Sequence, residues 1–234
     1  MRSSAASDVY KRQIQHKNGA IRRVNVNIAA TTEDAYRQLK VAEIGTYILF
    51  QETYHRARYE ELHPSGPKAD YAWHTEAHDR AMAAGIDDVG LGVLFGLEGY
   101  AYEFAGLLMH AEHLEAAFGV GPHTISVPRV KPASDIDPDA FDNGIPDEMF
   151  EKIIALIRIA VPYTGMIIST RESQEVRAAA LQLGVSQISG GSRTSVGGYV
   201  DEARPHDTEQ FDVSDQRTLD EVIGWLMDEG HLPS

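Results

Sequence analysis

The sequence predicts an α/β fold in which parallel strands alternate with helices. Apolar, β-branched runs recur along the chain, amphipathic stretches with helical spacing lie between them, and several of these stretches end at glycine. Parallel strands need crossover connections, which helices provide. Near-continuous apolar runs are typical of strands that are buried on both faces. The alternation fits either a doubly wound sheet or most of an eight-stranded barrel.

Six strand–helix units follow one another. The strands are predicted at residues 21–30, 45–52, 87–96, 123–130, 165–172 and 185–192. The helices are predicted at residues 32–42, 70–84, 101–118, 147–161, 174–183 and 218–229. Within the third helix, Leu107, Ala111 and Leu114 recur at helical spacing and form a stripe that should face the core.

The domain organisation is simple. Long polar loops are predicted at residues 131–146 and 195–217, but no Pro- or Ser-rich linker divides the chain, so residues 14–234 are predicted to form a single domain. Residues 1–13, MRSSAASDVYKRQ, have no apolar stretch and are therefore not a secretory signal. This start is similar to translated sequencing-adapter sequence, and we expect it to be non-native.

Composition excludes several classes of partner and site. The chain has 234 residues, a formal net charge of −14 and a pI of about 5.1. An acidic surface repels phosphate backbones and anionic lipids, so neither a nucleic acid nor a membrane is expected as a partner. The absence of cysteine excludes disulfides and iron–sulfur clusters ligated by this chain itself. A cytoplasmic location fits this composition.

The predicted functional residues lie at strand ends, because both parallel architectures bind ligands at the carboxyl edge of the sheet. One apolar run stops abruptly at Ser169, Thr170, Arg171 and Glu172, which is unusual for a buried strand. The other polar or glycine-rich strand ends contain Glu52, Gly90, Gly92, Gly96, His123, Arg129 and Ser189. These groups are predicted to converge on one site.

Each of these residues has a structural alternative. Glu52 could cap the next helix or pair with Arg56, and Arg171 could form a helix-start ion pair with Glu172. His123 could be a core histidine bonded to the backbone, and the glycines could serve only close packing. His74, His78, His110 and His113 have metal-ligand spacing on helices, but no facing ligand is evident, so no metal site is predicted.

Five longer segments carry a family resemblance. FQETYHRARYEELHPSGPKADYAW, AGIDDVGLGVLFGL, FGVGPHTISVPR, VPYTGMIISTRE and GVSQISGGSRTSVGGY resemble the radical S-adenosylmethionine (SAM) aromatic amino-acid lyases. The chain looks most like the tyrosine lyases of FeFe-hydrogenase maturation. The 2-iminoacetate synthases of thiamine biosynthesis share STRE and GGY but look more distant. The resemblance covers about residues 19–234.

The resemblance implies a fold and a reaction. The fold is a partial radical-SAM (β/α) barrel of about six parallel strand–helix units, with the first two units missing. The cofactors are SAM and a 4Fe-4S cluster whose ligands lie outside this chain. The reaction cleaves L-tyrosine at Cα–Cβ to p-cresol and dehydroglycine, from which CO and cyanide are made for the hydrogenase cofactor. Other hydrogenase maturation proteins are the expected partners.

The resemblance also implies roles for individual residues. SAM contacts are expected at Glu52, His74, Gly90, Gly92, Gly96 and Arg129, and substrate contacts at Arg171, Ser189, His123 and Ser169. His74 stands where relatives typically have arginine, so weaker SAM binding is expected. Two other functions stay open: a 2-iminoacetate synthase, and a non-catalytic binding barrel that has lost its cluster.

Overall fold

A parallel sheet forms the centre of the molecule. The computed structural model describes residues 23–131, 143–192 and 213–233, together with the backbone of residues 15–16 and 19–20. The short strands β1 (Gln15–His16) and β2 (Gly19–Ala20) pair with each other in antiparallel fashion. The parallel sheet contains, in spatial order, β3 (Tyr47–Ile48), β4 (Val89–Gly92), β5 (Thr124–Ser126), β6 (Gly165–Ile168) and β7 (Gln187–Ile188). The predicted α/β partial barrel is confirmed by this order.

Helices follow the strands and cover one face of the sheet. They are α1 (Glu33–Val41), α2 (Arg56–Leu62), α3 (Tyr71–Thr75), α4 (Ala77–Ala83), α5 (Tyr100–Phe118), α6 (Asp147–Ala160), α7 (Gln174–Gln182) and α8 (Leu219–Asp228). Residues 1–13 and most of the two predicted loops, at 132–142 and 193–212, lie outside the described residues. None of the helices in the described part of the chain combines the length and apolar character needed to cross a membrane.

Two helical predictions need correction. The single helix predicted at 70–84 is divided at Glu76 into α3 and α4, and Asp70 caps α3 by accepting the N–H of Trp73 at 2.9 Å. Helix α2 was not predicted. It buries only Tyr59, so it lacks the repeating apolar stripe by which a helix is recognised in a sequence.

The first predicted strand, 21–30, is much shorter than expected. Among the described residues 23–30, only Val26 pairs with β3: its N–H donates to the carbonyl of Thr46, and its own carbonyl accepts the N–H of Ile48, both at 2.9 Å. The side-chain Oδ1 of Asn25 accepts a hydrogen bond from the N–H of Thr46 at 3.0 Å. An amide side chain therefore competes with the backbone ladder at this edge of the sheet.

The two faces of the sheet differ in character. Tyr47, Val89, Ile125 and Met166 point to the helices and are fully buried in the main hydrophobic core. The opposite face combines small or hydroxyl-bearing residues, such as Gly90 beside Thr124 and Gly92 beside Ser126, with the apolar side chains of Ile48 and Ile167. The prediction of strands that are buried on both faces is confirmed for β4 and β5, in which every residue is buried.

Candidate active site at the carboxyl edge of the sheet

The carboxyl ends of the strands bring several predicted residues to one edge. Glu52 follows β3, Arg129 follows β5, Ser169 and Arg171 follow β6, and Ser189 follows β7. The N–H of Ser189 donates to the carbonyl of Ile168 at 3.3 Å, which places the β7 tip beside the β6 tip. This is the edge at which parallel α/β sheets bind ligands.

Glu52 has an unusual backbone conformation. Its φ of 66° is in the left-handed region, where residues with long side chains are uncommon and are often found at functional sites. Its carbonyl accepts the N–H of Leu94 at 2.8 Å, and its carboxylate forms an ion pair with Lys68. The alternative pairing with Arg56 is not formed, since Arg56 binds Glu60 at 2.8 Å.

A buried carboxyl group supports this turn. Glu103 on α5 is fully buried and accepts hydrogen bonds from the hydroxyl of Thr53 and from the N–H of Tyr54, the latter at 2.8 Å. Burial raises the pKa of Glu103, and the two hydrogen bonds oppose that rise. Sequence reasoning missed both Glu103 and Lys68. Lys68 lies in the GPK sequence of the first resemblance segment, but it was assigned no role there.

The guanidinium of Arg129 is bound by other residues of the chain. Its side chain is 4% exposed, its Nε and Nη2 bind the two carboxylate oxygens of Glu172 at 2.9 and 2.6 Å, and Nη1 donates to the carbonyl of Ile145 at 2.8 Å. Burial lowers the pKa of Arg129, but Glu172 and Asp147 outweigh this effect and raise it. Arg129 therefore ties the ends of β5 and β6 to the start of α6. This position does not support the predicted SAM contact.

Arg171 lies half-buried directly after β6. Its N–H donates to the hydroxyl of Ser169 at 3.2 Å, so the β6 tip is fixed by its own side chain. Burial lowers the pKa of Arg171, and the charge of Glu172 opposes this, so the guanidinium stays a cation at neutral pH. The Glu172 carboxylate is itself held by Arg129 and, at 3.1 Å, by Lys131.

A second buried arginine holds the tips of β6 and β7 together. Arg177 on α7 is fully buried, pairs with the equally buried Asp215 and donates to the carbonyl of Ser189. The N–H of Asp215 donates to the carbonyl of Thr170 at 2.9 Å. Asp215 also binds Arg217, with 2.6 Å between Oδ2 and Nη2. No local pattern in the sequence predicts this cluster, because Arg177 and Asp215 are 38 residues apart.

The glycines of β4 make room for neighbouring strands. A Cβ on Gly90 would lie 2.7 Å from the hydroxyl oxygen of Thr124, and one on Gly92 would lie 2.6 Å from the ring of Phe50. Gly96 has a φ of +110°, which side chains rarely tolerate. The close-packing alternative therefore describes Gly90 and Gly92, since protein side chains fill the space beside them.

His123 lies at the opposite edge of the sheet. It immediately precedes β5, its side chain is exposed, and its neighbours Arg23 and Thr46 line the same cavity of about 890 Å³. Burial and the charge of Arg23 lower its pKa. The prediction that His123 joins Arg171 at the carboxyl edge is wrong, because β5 begins after this residue and not before it.

His74 is enclosed by the helical layer. It is 1% exposed, and its Nε2–H donates to the carbonyl of Phe50 at 2.9 Å. Burial lowers its pKa, although the bond to Phe50 raises it. A neutral, buried imidazole bonded to the backbone does not support the predicted contact with the SAM carboxylate. His74 instead fixes the end of β3.

Comparison with known proteins supports the family resemblance. A family model described as the Biotin and Thiamin Synthesis associated domain matches residues 126–232. The crystal structure of HydG, a maturase of the FeFe-hydrogenase, is 54% identical and superimposes with a TM-score of 0.94, covering 100% of this chain and 50% of that one. HydG from Carboxydothermus hydrogenoformans is 46% identical with a TM-score of 0.84, covering 98% and 52%.

A curated protein of known function supports the same resemblance. The 2-iminoacetate synthase of Escherichia coli (strain K12) is 28% identical over 228 residues, which cover 97% of this chain and 59% of that protein. Over nearly its whole length the chain is similar to HydG and, at lower identity, to 2-iminoacetate synthase. The family resemblance stated from the sequence is thus confirmed. The chain spans about half the length of the relatives that it matches.

The residues of this chain fit the two expected cofactors unequally. The sequence contains no cysteine, and none of its described residues form a group of three or more side chains able to hold a metal ion. A 4Fe-4S cluster would therefore need ligands from outside this sequence. For SAM, the Glu52 carboxylate at the carboxyl edge is an anion that fits the ammonium of the methionyl group.

Proposed function

We propose that this chain forms the SAM- and substrate-binding part of a cytoplasmic tyrosine lyase of the HydG type. The complete protein would cleave L-tyrosine at Cα–Cβ to p-cresol and dehydroglycine, as a source of CO and cyanide for hydrogenase maturation proteins. The observation that carries the proposal is Arg171, a half-buried cation at the β6 tip whose backbone N–H binds the hydroxyl of Ser169, with the backbone of Ser189 at the neighbouring β7 tip. The 54% identity to HydG over the whole chain supports it.

The roles follow from the chemistry of each group. The planar guanidinium of Arg171 would bind the tyrosine carboxylate through two parallel hydrogen bonds, which fixes orientation as well as charge. The hydroxyls of Ser169 and Ser189 would bind the remaining polar atoms of the amino acid. Glu52 would bind the ammonium of SAM. When bound, SAM and its cluster supply the radical that starts the cleavage, and the rigid edge selects which hydrogen is reached.

A second candidate function is 2-iminoacetate synthesis. The Escherichia coli 2-iminoacetate synthase aligns over 97% of this chain, and the same substrate site would serve that reaction. The higher identity to HydG favours the maturase type. An extended chain that forms p-cresol but neither CO nor cyanide would support the synthase instead.

Tyrosine binding tests the proposed site directly. Isothermal titration of this chain with L-tyrosine should show one site, and Arg171→Lys should weaken binding about tenfold or more, since a charge-assisted bidentate contact is lost. Arg37→Lys is the control, because Arg37 is exposed on α1 and pairs only with neighbouring Glu33 and Asp34. Equal affinities of the wild-type chain and Arg171→Lys would reject the carboxylate-binding role.

Turnover gives a second test. In a chain extended to the length of its relatives and loaded with cluster and SAM, Arg171→Lys should uncouple SAM cleavage from tyrosine cleavage. The ratio of 5′-deoxyadenosine to p-cresol should then rise. An unchanged ratio would mean that another group orients the substrate.

A further inference from the structure

The turn that carries Glu52 has a rare geometry. The N–H of Thr53 donates to the carbonyl of Gln51 at 2.9 Å, and φ of Glu52 between them is 66°. A hydrogen bond between residues two apart around a positive φ is the pattern of the classic γ-turn, which is rare and strained. A residue keeps such a conformation only when its surroundings hold it there. The contacts made by the next residues of the chain therefore control how Glu52 is presented at the carboxyl edge.

A single carboxylate on α5 holds these next residues. The two oxygens of Glu103 accept one hydrogen bond each, from the hydroxyl of Thr53 and from the N–H of Tyr54. The side chains of Glu103 and Thr53 are each 0% exposed, so water does not compete for these bonds. The Thr53 hydroxyl also accepts the N–H of His55 at 3.1 Å. The backbone that follows Glu52 is thus bound to α5 at two successive residues.

Close packing keeps α5 against the turn. Gly106 follows Glu103 by about one helical turn, and a Cβ at this position would lie 2.5 Å from the ring of Tyr54. The carbonyl of Tyr54 accepts the hydroxyl of Tyr71, on α3, at 2.8 Å. Tyr54 is therefore held at its N–H, its ring and its carbonyl. Two helices fix the position of the chain just beyond Glu52.

The contact of Glu103 depends on its shape as well as its charge. Glu103 lies in the first turn of α5, where the helix dipole favours a negative charge. Burial raises its pKa, and the bonds from Thr53 and Tyr54 lower it. Glutamine at this position could also bind both groups, because its carbonyl accepts an N–H and its amide donates to a hydroxyl. Leucine has a similar size but can bind neither group.

We infer that Glu103 is a positioning residue for SAM binding that acts through Glu52. Glu103 touches neither SAM nor the substrate. It holds the γ-turn from which the Glu52 carboxylate reaches the ammonium of SAM. The inference rests on the proposed function in one respect, namely the contact between Glu52 and SAM. The alternative is that Glu103 only attaches α5 to the sheet and has no specific effect on SAM.

A double-mutant cycle tests the inference. The chain, extended to the length of its relatives and loaded with cluster, is studied as wild type, Glu52→Gln, Glu103→Leu and the double variant. Equilibrium dialysis with radiolabelled SAM measures each affinity. Glu103→Leu should weaken SAM binding about 5- to 10-fold, because the contact with the ammonium is displaced. In the Glu52→Gln background the same change should have an effect of less than about twofold, since Glu103 acts through Glu52.

Two controls separate positioning from folding. Glu103→Gln should bind SAM within about twofold of wild type, because both hydrogen bonds can be kept. The affinity of Glu103→Leu for L-tyrosine should equal that of wild type, since the proposed tyrosine site lies at the β6 tip. If Glu103→Leu does not fold, Thr53→Val removes the hydroxyl bond alone, and Thr53→Ser is its conservative control.

Three results would overturn the inference. The first is wild-type SAM affinity of the folded Glu103→Leu chain, and the second is an equal effect of this change with and without Glu52→Gln. The third is SAM binding by Glu103→Gln that is as weak as that of Glu103→Leu. An unchanged SAM affinity of Glu52→Gln has a different meaning, because it would reject the proposed contact between Glu52 and SAM and, with it, this role of Glu103.

Discussion

The two edges of the sheet are held by different kinds of ion pair. At the carboxyl edge, Arg129 and Arg177 are 4% and 0% exposed, and their carboxylate partners Glu172 and Asp215 are equally inaccessible. At the amino edge, Arg23 pairs with Asp88 while its side chain remains 45% exposed. Both edges use arginine, but only one removes it from water.

The difference indicates that the carboxyl edge is held more rigidly than the amino edge. A buried ion pair adds little net stability, because desolvation offsets the attraction, but removing one partner is strongly destabilising. Such pairs hold the groups that they join in one relative orientation. Here they hold the tips of β5, β6 and β7, where Arg171 and Ser189 lie. The amino edge positions none of the proposed substrate groups, and a solvent-screened pair is sufficient there.

The largest effect is expected from Asp215→Ala. This change leaves Arg177 buried without its counter-ion and should lower the free energy of unfolding by about 3–5 kcal/mol. Urea unfolding followed by circular dichroism measures it. Asp228→Ala, at the exposed end of α8, should change stability by less than about 0.5 kcal/mol. Similar values for the two variants would contradict the distinction between the edges.

Acid should also act on the helical layer outside the two edges. Burial lowers the pKa of His78 to about 4, and its Nε2–H donates to the carbonyl of Gly90 at 3.1 Å. Below a pH of about 6.5 the unfolded chain takes up a proton that folded His78 refuses, so stability falls as the pH decreases towards 4. At pH 5 the loss from this residue is about 2 kcal/mol.

His78→Phe tests this pH dependence. Between about pH 7.5 and 5, the variant should lose about 2 kcal/mol less stability than the wild-type chain, whatever its absolute stability. Thermal or urea unfolding across that range gives both slopes. Parallel curves would show that His78 does not contribute to acid sensitivity.

The smallest effect is expected from Arg23→Ala. The exposed pair with Asp88 and the 2.9 Å bond to Thr46 should together contribute less than about 1 kcal/mol. The difference from wild type should also shrink as salt is raised towards about 1 M, where the Debye length is about 3 Å. A loss comparable to that of Asp215→Ala would mean that the two edges are equally rigid.

The sequence predicted the alternation of elements well and the site in part. Periodicity identified the strands and most helices, and chain direction alone placed Glu52, Arg171 and Ser189 at one edge. It failed for His123, which begins the predicted strand 123–130 and therefore lies at the amino edge of the sheet. It failed for His74 because burial of this side chain depends on how α3 packs against the end of β3, which no local pattern records.

The buried arginine clusters were not predictable for a related reason. Arg177 and Asp215 are separated by 38 residues, and each alone reads as an ordinary surface charge. Their pairing depends on how α7 and the segment before α8 meet the tips of β6 and β7. Only the folded arrangement contains that information.

Phe50 and Gly92 form a complementary pair on neighbouring strands. The ring of Phe50, which follows β3, occupies the volume that a side chain at Gly92 on β4 would need. Neither position can gain volume unless the other gives it up. Redesign of this part of the barrel lumen therefore has to replace both residues together.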